Sequence, residues 1–171
     1  MDDEIRAGML TESGLVLSVL PSLDSFPEIK FAVFDDIRFY DPNHYRKFFP
    51  FIPQGFDIVG PPQKNQNCFA YALGKDYAFD RWAFLQLLNE ESYKPIFGEL
   101  SMGDIVAYYN LDPDINGYGH AAQYVGNGRV RSRWGISRNG FGSPIIEHPI
   151  DEVSPLYQGE LGVMWTKFRK A

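Results

Sequence analysis

The sequence has few cysteines and histidines and no long apolar run, the features typical of disulfide-rich, metal-binding and membrane-spanning proteins. A single cysteine, Cys68, occurs in 171 residues, so no intramolecular disulfide can form and the fold does not need an oxidising compartment. The three histidines are scattered, and the short ligand pairs of zinc sites are missing. No apolar run approaches the roughly 20 residues of a membrane span. We therefore expect no metal site, no cofactor and no membrane span.

The chain also has fewer basic than acidic residues. Lys and Arg number 16 against 22 Asp and Glu, and the formal net charge of −6 makes a nucleic-acid partner unfavourable. The basic residues concentrate in 129–171, mainly as Arg129, Arg131, Arg133 and Arg138. Two interpretations of this cluster stay open: a strand face solvated by water, or a rim that binds anions.

We expect no secretory signal at the N-terminus. It begins Met-Asp-Asp-Glu, whose charge has the wrong sign, and the apolar run at 14–20 is too short and has no basic flank. We expect the protein to be cytoplasmic as made. Export by a route that uses no signal peptide would leave no trace of this kind.

Aromatic side chains are abundant. Phe, Tyr and Trp make up 16% of the chain, and each buries roughly 150–250 Å² when packed, which predicts an aromatic-rich core or pocket. We expect a single domain at 1–171. Within 1–62, short apolar runs at 16–20 and 31–34 are of strand type, and the proline-punctuated stretch 41–63 is expected to be mostly loop.

A short helix is predicted to begin near Cys68. Asn65 or Asn67 can cap its first turn, residues 68–73 are good helix formers, and Gly74 is a suitable C-terminal stop. A cysteine at a helix N-terminus has its pKa lowered by the helix dipole and the free amide groups, so this position suits a nucleophile. The alternative is a buried cysteine that acts as a small hydrophobic residue.

A second helix and a run of strands follow. Asp80 can cap a helix that extends to about residue 91, with one side formed by Trp82, Leu85 and Leu88. Strands are predicted at 105–109, 120–125, 129–134, 144–150 and 161–168. Helices followed by an antiparallel sheet indicate the α+β class.

The strongest local signal is Gly-Asn-Gly at 126–128 between two strand-like runs, which predicts a β-hairpin. A two-residue loop would place His120 on the same face as Arg131 and Arg133. A three-residue loop would place His120 beside Ser132 and leave both arginines to solvent, so we favour the second arrangement.

His120 is the best-placed base among the three histidines, since it opens a strand after a glycine-rich loop and suits a sheet edge that faces a cleft. His44, in the loop rich in proline and aromatic residues, and His148, before a proline, are expected to be structural or to face solvent.

Three segments in order resemble the NlpC-type papain-like cysteine peptidases: Asn-Cys-Phe-Ala-Tyr-Ala-Leu-Gly at 67–74, Gly-Asp-Ile-Val-Ala-Tyr at 103–108 and Gly-His-Ala-Ala-Gln-Tyr-Val-Gly-Asn-Gly-Arg-Val at 119–130. The match covers about residues 63–135, which implies that 63–171 is the catalytic core and 1–62 an N-terminal extension. The following Ser-Arg-Trp-Gly at 132–135, with His148, Pro149 and Tyr157, looks like a poorly characterised branch of that superfamily. The resemblance implies a papain-like α+β fold, in which the nucleophile helix packs on an antiparallel sheet of four to six strands.

Carried over by position, the resemblance makes Cys68 the nucleophile and His120 the base. The third polar residue falls on Ser132, where the family usually has His, Asn or Gln, and a serine hydroxyl accepts a weaker hydrogen bond from the imidazole. The Cys68 amide is the implied oxyanion donor. The implied oxyanion and substrate-binding side chains are Gln63, Gln66 and Asn67.

The resemblance implies a cysteine-dependent hydrolase that cleaves an amide bond through a Cys-His dyad and a thioester intermediate, with a cell-wall peptide or peptidoglycan fragment as substrate. Because a secretory signal is missing, it would act in the cytosol or as a delivered effector or toxin, with an inhibitor or immunity protein as partner. Two alternatives stay open: an acyltransferase or deamidase with the same dyad, and a non-catalytic binding module on the same fold, which the serine at position 132 favours.

Overall fold

The computed structural model describes residues 52–63, 66–111, 117–134, 143–153 and 162–171, together with Met9, Leu10, Asn43, Arg46, Ile136 and Ser137. The strands expected at 16–20 and 31–34 lie outside these residues, as do His44, Asn65, Arg138 and Tyr157.

Seven strands of the described residues form one antiparallel sheet. They are β2 (Asp57–Gly60), β3 (Tyr93–Ile96), β4 (Ile105–Asn110), β5 (Gly117–Gly126), β6 (Arg129–Ser132), β8 (Ile145–Pro149) and β9 (Val163–Lys170). Their order across the sheet is β2-β8-β6-β5-β4-β9-β3, and β1 (Met9–Leu10) pairs with β7 (Ile136–Ser137) apart from it. Together with two helices this is the α+β class that the sequence predicted, with more strands than the four to six expected.

Strand β2 lies within 41–63, which was expected to be mostly loop. It forms one edge of the sheet by pairing with β8, with Ile58 opposite Ile146. The alternating burial of β2, outward at Asp57 and inward at Ile58, is that of a strand with one face in the core. The sheet therefore begins upstream of residue 63.

Helix α1 (Cys68–Ala72) begins and ends at the predicted signals. Asn67 is the cap, and its Oδ1 accepts a hydrogen bond from the Ala70 amide at 3.0 Å. Gly74 adopts a φ of +65°, which a residue without a Cβ tolerates, and its amide and that of Lys75 donate to carbonyls of the last turn at 3.1 and 2.8 Å. The helix stops after five residues because these bonds close its end.

Helix α2 (Arg81–Glu90) is capped by Asp80, as predicted. The Asp80 Oδ1 accepts a hydrogen bond from the Ala83 amide at 2.9 Å. The helix ends just before Ser92, whose φ of +64° turns the chain into β3.

The buried side of α2 differs from the expected one. Phe84 and Leu88 face the core, whereas Trp82 is 66% exposed and Leu85 is 38% exposed. Residues three apart fall 60° short of a full helical turn, so a stripe at that spacing drifts out of the interface, whereas a pair four apart stays closer to one line.

The loop of the β5–β6 hairpin has two residues, so the expected three-residue loop is wrong. Gly126 pairs with Arg129, and Asn127 and Gly128 between them have φ values of +52° and +69°. Two successive positive φ values mark a type I′ turn, whose twist matches that of the strands it joins.

A β-bulge nevertheless gives the hairpin the expected faces. Tyr124 pairs with Val130, which leaves Val125 as an extra residue in β5. This insertion shifts the register by the one residue that a longer loop would have supplied. His120 and Ser132 therefore share a face, as predicted.

Both helices pack on the same side of the sheet. The buried cluster there comprises Cys68, Phe69, Ala72, Leu73, Phe84, Leu88, Ile105, Ala107, Ala121 and Phe168. The rings of Phe69 and Phe84 stack at 4.5 Å and join the two helices. No helix in the described ranges combines the length and the apolar character needed to cross a membrane.

Candidate functional site

The two faces of the sheet carry different chemistry, because side chains alternate along each strand. We call the side covered by α1 and α2 the helix face, with Ile105, Ala107, Ala121, Gln123 and Arg131. We call the opposite side the histidine face, with Tyr108, His120, Ala122, Ser132 and His148. Gln123 fixes the assignment, since its Nε2 donates to the carbonyls of Tyr71 and Ala72 in α1 at 3.3 and 3.1 Å.

Cys68 lies on the helix face. It is the first residue of α1, directly after the Asn67 cap, which is the position that the sequence predicted. Its side chain has no solvent exposure and packs in the same cluster as Phe69 and Ala121. Its surroundings are therefore those of a core residue.

His120 and Ser132 form a pair on the histidine face. Nε2 of His120 and Oγ of Ser132 are 3.0 Å apart, and both residues are buried. The imidazole also stacks on Tyr108 of β4, with ring centroids 5.6 Å apart. The predicted contact between the histidine and the serine is therefore present.

A second histidine, which was expected to be structural or to face solvent, lies on the same face. His148 is opposite Val130 in the β6–β8 pair, is buried, and stacks on Phe56 with centroids 4.7 Å apart. Its Nδ1 donates to the Pro149 carbonyl at 2.8 Å. His148 is therefore structural and not solvent-facing, and its burial depends on the pairing of β8 with β6.

Burial favours the neutral form of both histidines. Burial lowers the pKa of His120 well below its ordinary value, and the nearby His148 lowers it further. Burial also lowers the pKa of His148, although its hydrogen bonds to backbone carbonyls act in the opposite direction. A base that must hold a proton during turnover is disfavoured in such surroundings.

Cys68 and His120 lie on opposite faces of the sheet. Strand alternation directs the His120 side chain away from α1, whereas its neighbour Ala121 points toward α1 and the cysteine. Nε2 of His120 binds Ser132. His120 and Ser132 share a face, as predicted, whereas the helix that carries Cys68 covers the opposite face.

The polar side chains of Gln66 and Asn67, just upstream of Cys68, form hydrogen bonds that stabilise the fold. Gln66 Nε2 donates to the Lys75 carbonyl at 2.6 Å, and Asn67 Nδ2 donates to the Phe79 carbonyl at 2.7 Å. Both amide groups also accept a hydrogen bond, Gln66 from an arginine and Asn67 from the α1 backbone. An oxyanion role for either side chain would require one of these bonds to break.

Arg133 is that arginine, and it is buried, whereas the sequence placed it on a solvated face. Its Nε donates to Gln66 Oε1, its Nη1 to the carbonyls of Pro61 and Ser143 at 2.9 and 2.7 Å, and its Nη2 lies 3.5 Å from Gln63 Oε1. Desolvation lowers the pKa of Arg133 to about 10.

The other two arginines of this hairpin match the solvated interpretation better. Arg129 and Arg131 donate to the two carboxylate oxygens of Glu147 at 2.8 and 2.7 Å, and Arg131 is exposed. Arg133 differs because β6 ends at Ser132, and the guanidinium is then covered by contacts with Pro61, Gln63 and Gln66. The sequence of the hairpin alone does not predict that these upstream residues contact Arg133.

The described residues contain no group of three or more His, Cys, Asp or Glu side chains that could hold a metal ion. Comparison of the chain with protein-family models, curated proteins and solved structures gives no match. Assignment of a function therefore depends on the geometry of the two faces.

Proposed function

We propose that this chain is a non-catalytic binding module on a papain-like α+β scaffold. The observation that carries the proposal is the placement of Cys68 on the helix face and of His120 with Ser132 on the histidine face. A nucleophile and its base need to be within about 2.6–3.2 Å, or somewhat farther apart in an unliganded enzyme. Two buried side chains on opposite faces of a sheet do not meet that condition.

Burial supports the same proposal. A cysteine in apolar surroundings is inert, because the reactive species is the thiolate and a low-dielectric site disfavours its charge. Cys68 packs among Phe69, Ala121 and other apolar residues. Its position at the start of α1 is then explained by core packing next to the Asn67 cap.

Alkylation of Cys68 tests the proposal. Iodoacetamide labelling is measured against pH in the folded protein, in the urea-unfolded chain and in His120→Ala. We expect labelling of the folded protein to be at least about 100-fold slower than that of the unfolded chain, with the same midpoint in the His120 variant as in the wild type. Rapid labelling with a midpoint well below about 8.5, shifted by His120→Ala, would contradict it.

A second candidate is the cysteine-dependent amide hydrolase, and the 3.0 Å contact between His120 and Ser132 favours it. In that enzyme His120 takes the Cys68 proton, the thiolate attacks the acyl carbon, the protonated amine leaves, and water hydrolyses the thioester. Ser132 would orient the ring through Nε2, which assigns Nδ1 to the proton transfer. This mechanism requires the side chain of His120 to reach the helix face.

Product analysis distinguishes the hydrolase from a deamidase or an acyltransferase that uses the same dyad. Cell-wall peptides and peptidoglycan fragments are incubated with the wild type, with Cys68→Ser and with His120→Ala. Cleavage abolished by both changes identifies a hydrolase, release of ammonia a deamidase, and transfer to an added amine an acyltransferase. For a delivered effector, an inhibitor or immunity protein would suppress the same activity.

A further inference from the structure

A cavity of about 250 Å³ opens on the helix face, between α2 and the adjoining ends of β4 and β5. Its lining residues are Arg81, Trp82 and Leu85 of α2, Tyr109 of β4, and Gly117 and Tyr118 of β5. The volume lies just below the usual range of about 300–1,000 Å³ for ligand pockets, which suits one ring with a short substituent.

The walls of this cavity are aromatic, and part of them is fixed in place. The rings of Tyr109 and Tyr118 meet edge to face at 5.5 Å, and Tyr118 also packs edge to face on Phe84 of the core. Trp82 and Leu85 form the opposite wall and are exposed. A large indole left in water beside an open cavity is a surface that a flat apolar ligand would cover.

The cavity also contains a positive charge. The guanidinium carbon of Arg81 lies 5.3 Å from the centre of the Trp82 ring. A glycine at position 117 allows this placement, since a Cβ there would lie 2.9 Å from Arg81 Nη1. Among the described residues that line the cavity, none is acidic. The pocket therefore combines apolar walls with a cation whose planar group suits a carboxylate.

We propose that this pocket binds a small aromatic carboxylate, with its ring between Trp82 and Tyr118 and its carboxylate on Arg81. The inference rests on the proposed binding function and names the ligand class. Apolar contact with the walls supplies most of the affinity, and the charge of Arg81 selects the carboxylate over neutral and cationic analogues.

The test uses three probes of one shape: 3-phenylpropionate, 3-phenylpropionamide and 3-phenylpropylamine. Binding to the full chain is followed by calorimetry and by the shift of the Trp82 indole resonance. We expect the carboxylate to bind about two- to five-fold more tightly than the amide, as for a partly exposed ion pair, and the amine to bind most weakly. The advantage of the carboxylate should shrink at high salt.

Variants separate the charge from the walls. Arg81→Gln should remove the advantage of the carboxylate and leave amide binding unchanged, and Gly117→Ala should do the same by displacing the guanidinium. Leu85→Ala should weaken all three probes several-fold. Phe97→Ala, at a side chain that is 98% exposed and outside the pocket, is the matched control and should change nothing.

The outcomes distinguish the ligand class from the proposed function. Equal or tighter binding of the amine, a carboxylate preference that survives Arg81→Gln, or no saturable binding of any probe would overturn the carboxylate site. Cys68 labelling is measured on the same samples, so a reactive cysteine would overturn the binding-module proposal whichever probe binds.

Discussion

The helix face and the histidine face are formed by the same strands, but one packs small apolar residues against helices and the other buries polar rings. On the helix face, small residues such as Ala107 and Ala121 let α1 and α2 approach the sheet closely. On the histidine face, large polar rings are buried, and one polar atom of each has a defined partner: Ser132 for His120, the Pro149 carbonyl for His148 and the Ile150 carbonyl for Tyr108.

This difference shows that polar residues on one face do not by themselves indicate a catalytic site. A buried polar group must be hydrogen-bonded or it costs free energy, so a chain that buries histidines also has to bury their partners. The pairing of His120 with Ser132 meets that structural requirement, and the same contact would serve an enzyme. Only the position of Cys68 distinguishes the two roles.

Arg133→Ala should have the largest effect, because Arg133 is a buried charge bound to three chain segments. Its loss leaves Gln66 and the carbonyls of Pro61 and Ser143 without a donor, and we expect the free energy of unfolding to fall by about 3–5 kcal/mol. Urea denaturation measures the change. Arg131→Ala, two residues earlier and exposed, should cost less than about 1 kcal/mol. Equal costs would show that the burial of Arg133 adds nothing.

The two buried histidines should make stability depend on pH. Their pKa values are lowered in the folded state, so below about pH 6.5 the unfolded chain binds protons that the folded chain does not. Each should contribute a loss of up to about 1.4 kcal/mol per pH unit as the pH falls from 6.5 toward 5. Unfolding at pH 7.5, 6.5 and 5.5 measures this slope.

His148→Asn is the variant that isolates one histidine, because the asparagine amide can replace the Nδ1–H donor and does not titrate. It should reduce the slope between pH 6.5 and 5.5 by about half and leave stability at pH 7.5 less affected. An unchanged slope would place the pH dependence elsewhere in the chain.

Ser132→Ala should destabilise the histidine face by about 1–3 kcal/mol, because it removes the partner of a buried ring nitrogen. A double-mutant cycle with His120→Phe measures the coupling between the two side chains by urea denaturation. We expect a coupling of about 1 kcal/mol. A coupling near zero would mean that the 3.0 Å contact contributes nothing to stability.

Gln123→Leu should have the smallest effect of these changes, about 1 kcal/mol. It removes the two hydrogen bonds to the end of α1, whose carbonyls water can then partly satisfy. Gln86→Leu on the exposed side of α2 is the matched control and should be close to neutral by thermal denaturation. A larger loss for Gln86→Leu would show that the link between α1 and the sheet is not the relevant one.

Local features of this fold could be predicted where the cause lies within a few residues. The Asn67 and Asp80 caps and the Gly74 stop follow from backbone groups that need partners within one turn. The shared face of His120 and Ser132 follows from burial, although the bulge at Val125 and not the loop produced it. The sequence of β5 does not reveal this bulge, because the bulge is defined by which residues of β6 lie opposite Tyr124 and Gly126.

The candidate site was predicted less well, for a reason of geometry. The order of Cys68, His120 and Ser132 along the chain fixes which residues can share a strand or a helix start, but not which face of the sheet that helix covers. Arg133 was placed on a solvated face for the same reason, since its burial depends on contacts with Pro61 and Gln66. Long-range pairings of this kind depend on the whole sheet.

The sequence by itself determined the α+β class, the ends of the two helices, the hairpin at 126–128 and the cysteine at a helix start, because each depends on local hydrogen bonding or on alternation along one strand. Only the tertiary structure decided that α1 covers the face opposite His120, that Arg133 is buried and that Trp82 borders a cavity. The alternation of side chains along a strand separates its two faces but does not tell which of them a helix will cover. The element that packs on each is selected by the fit of the whole core.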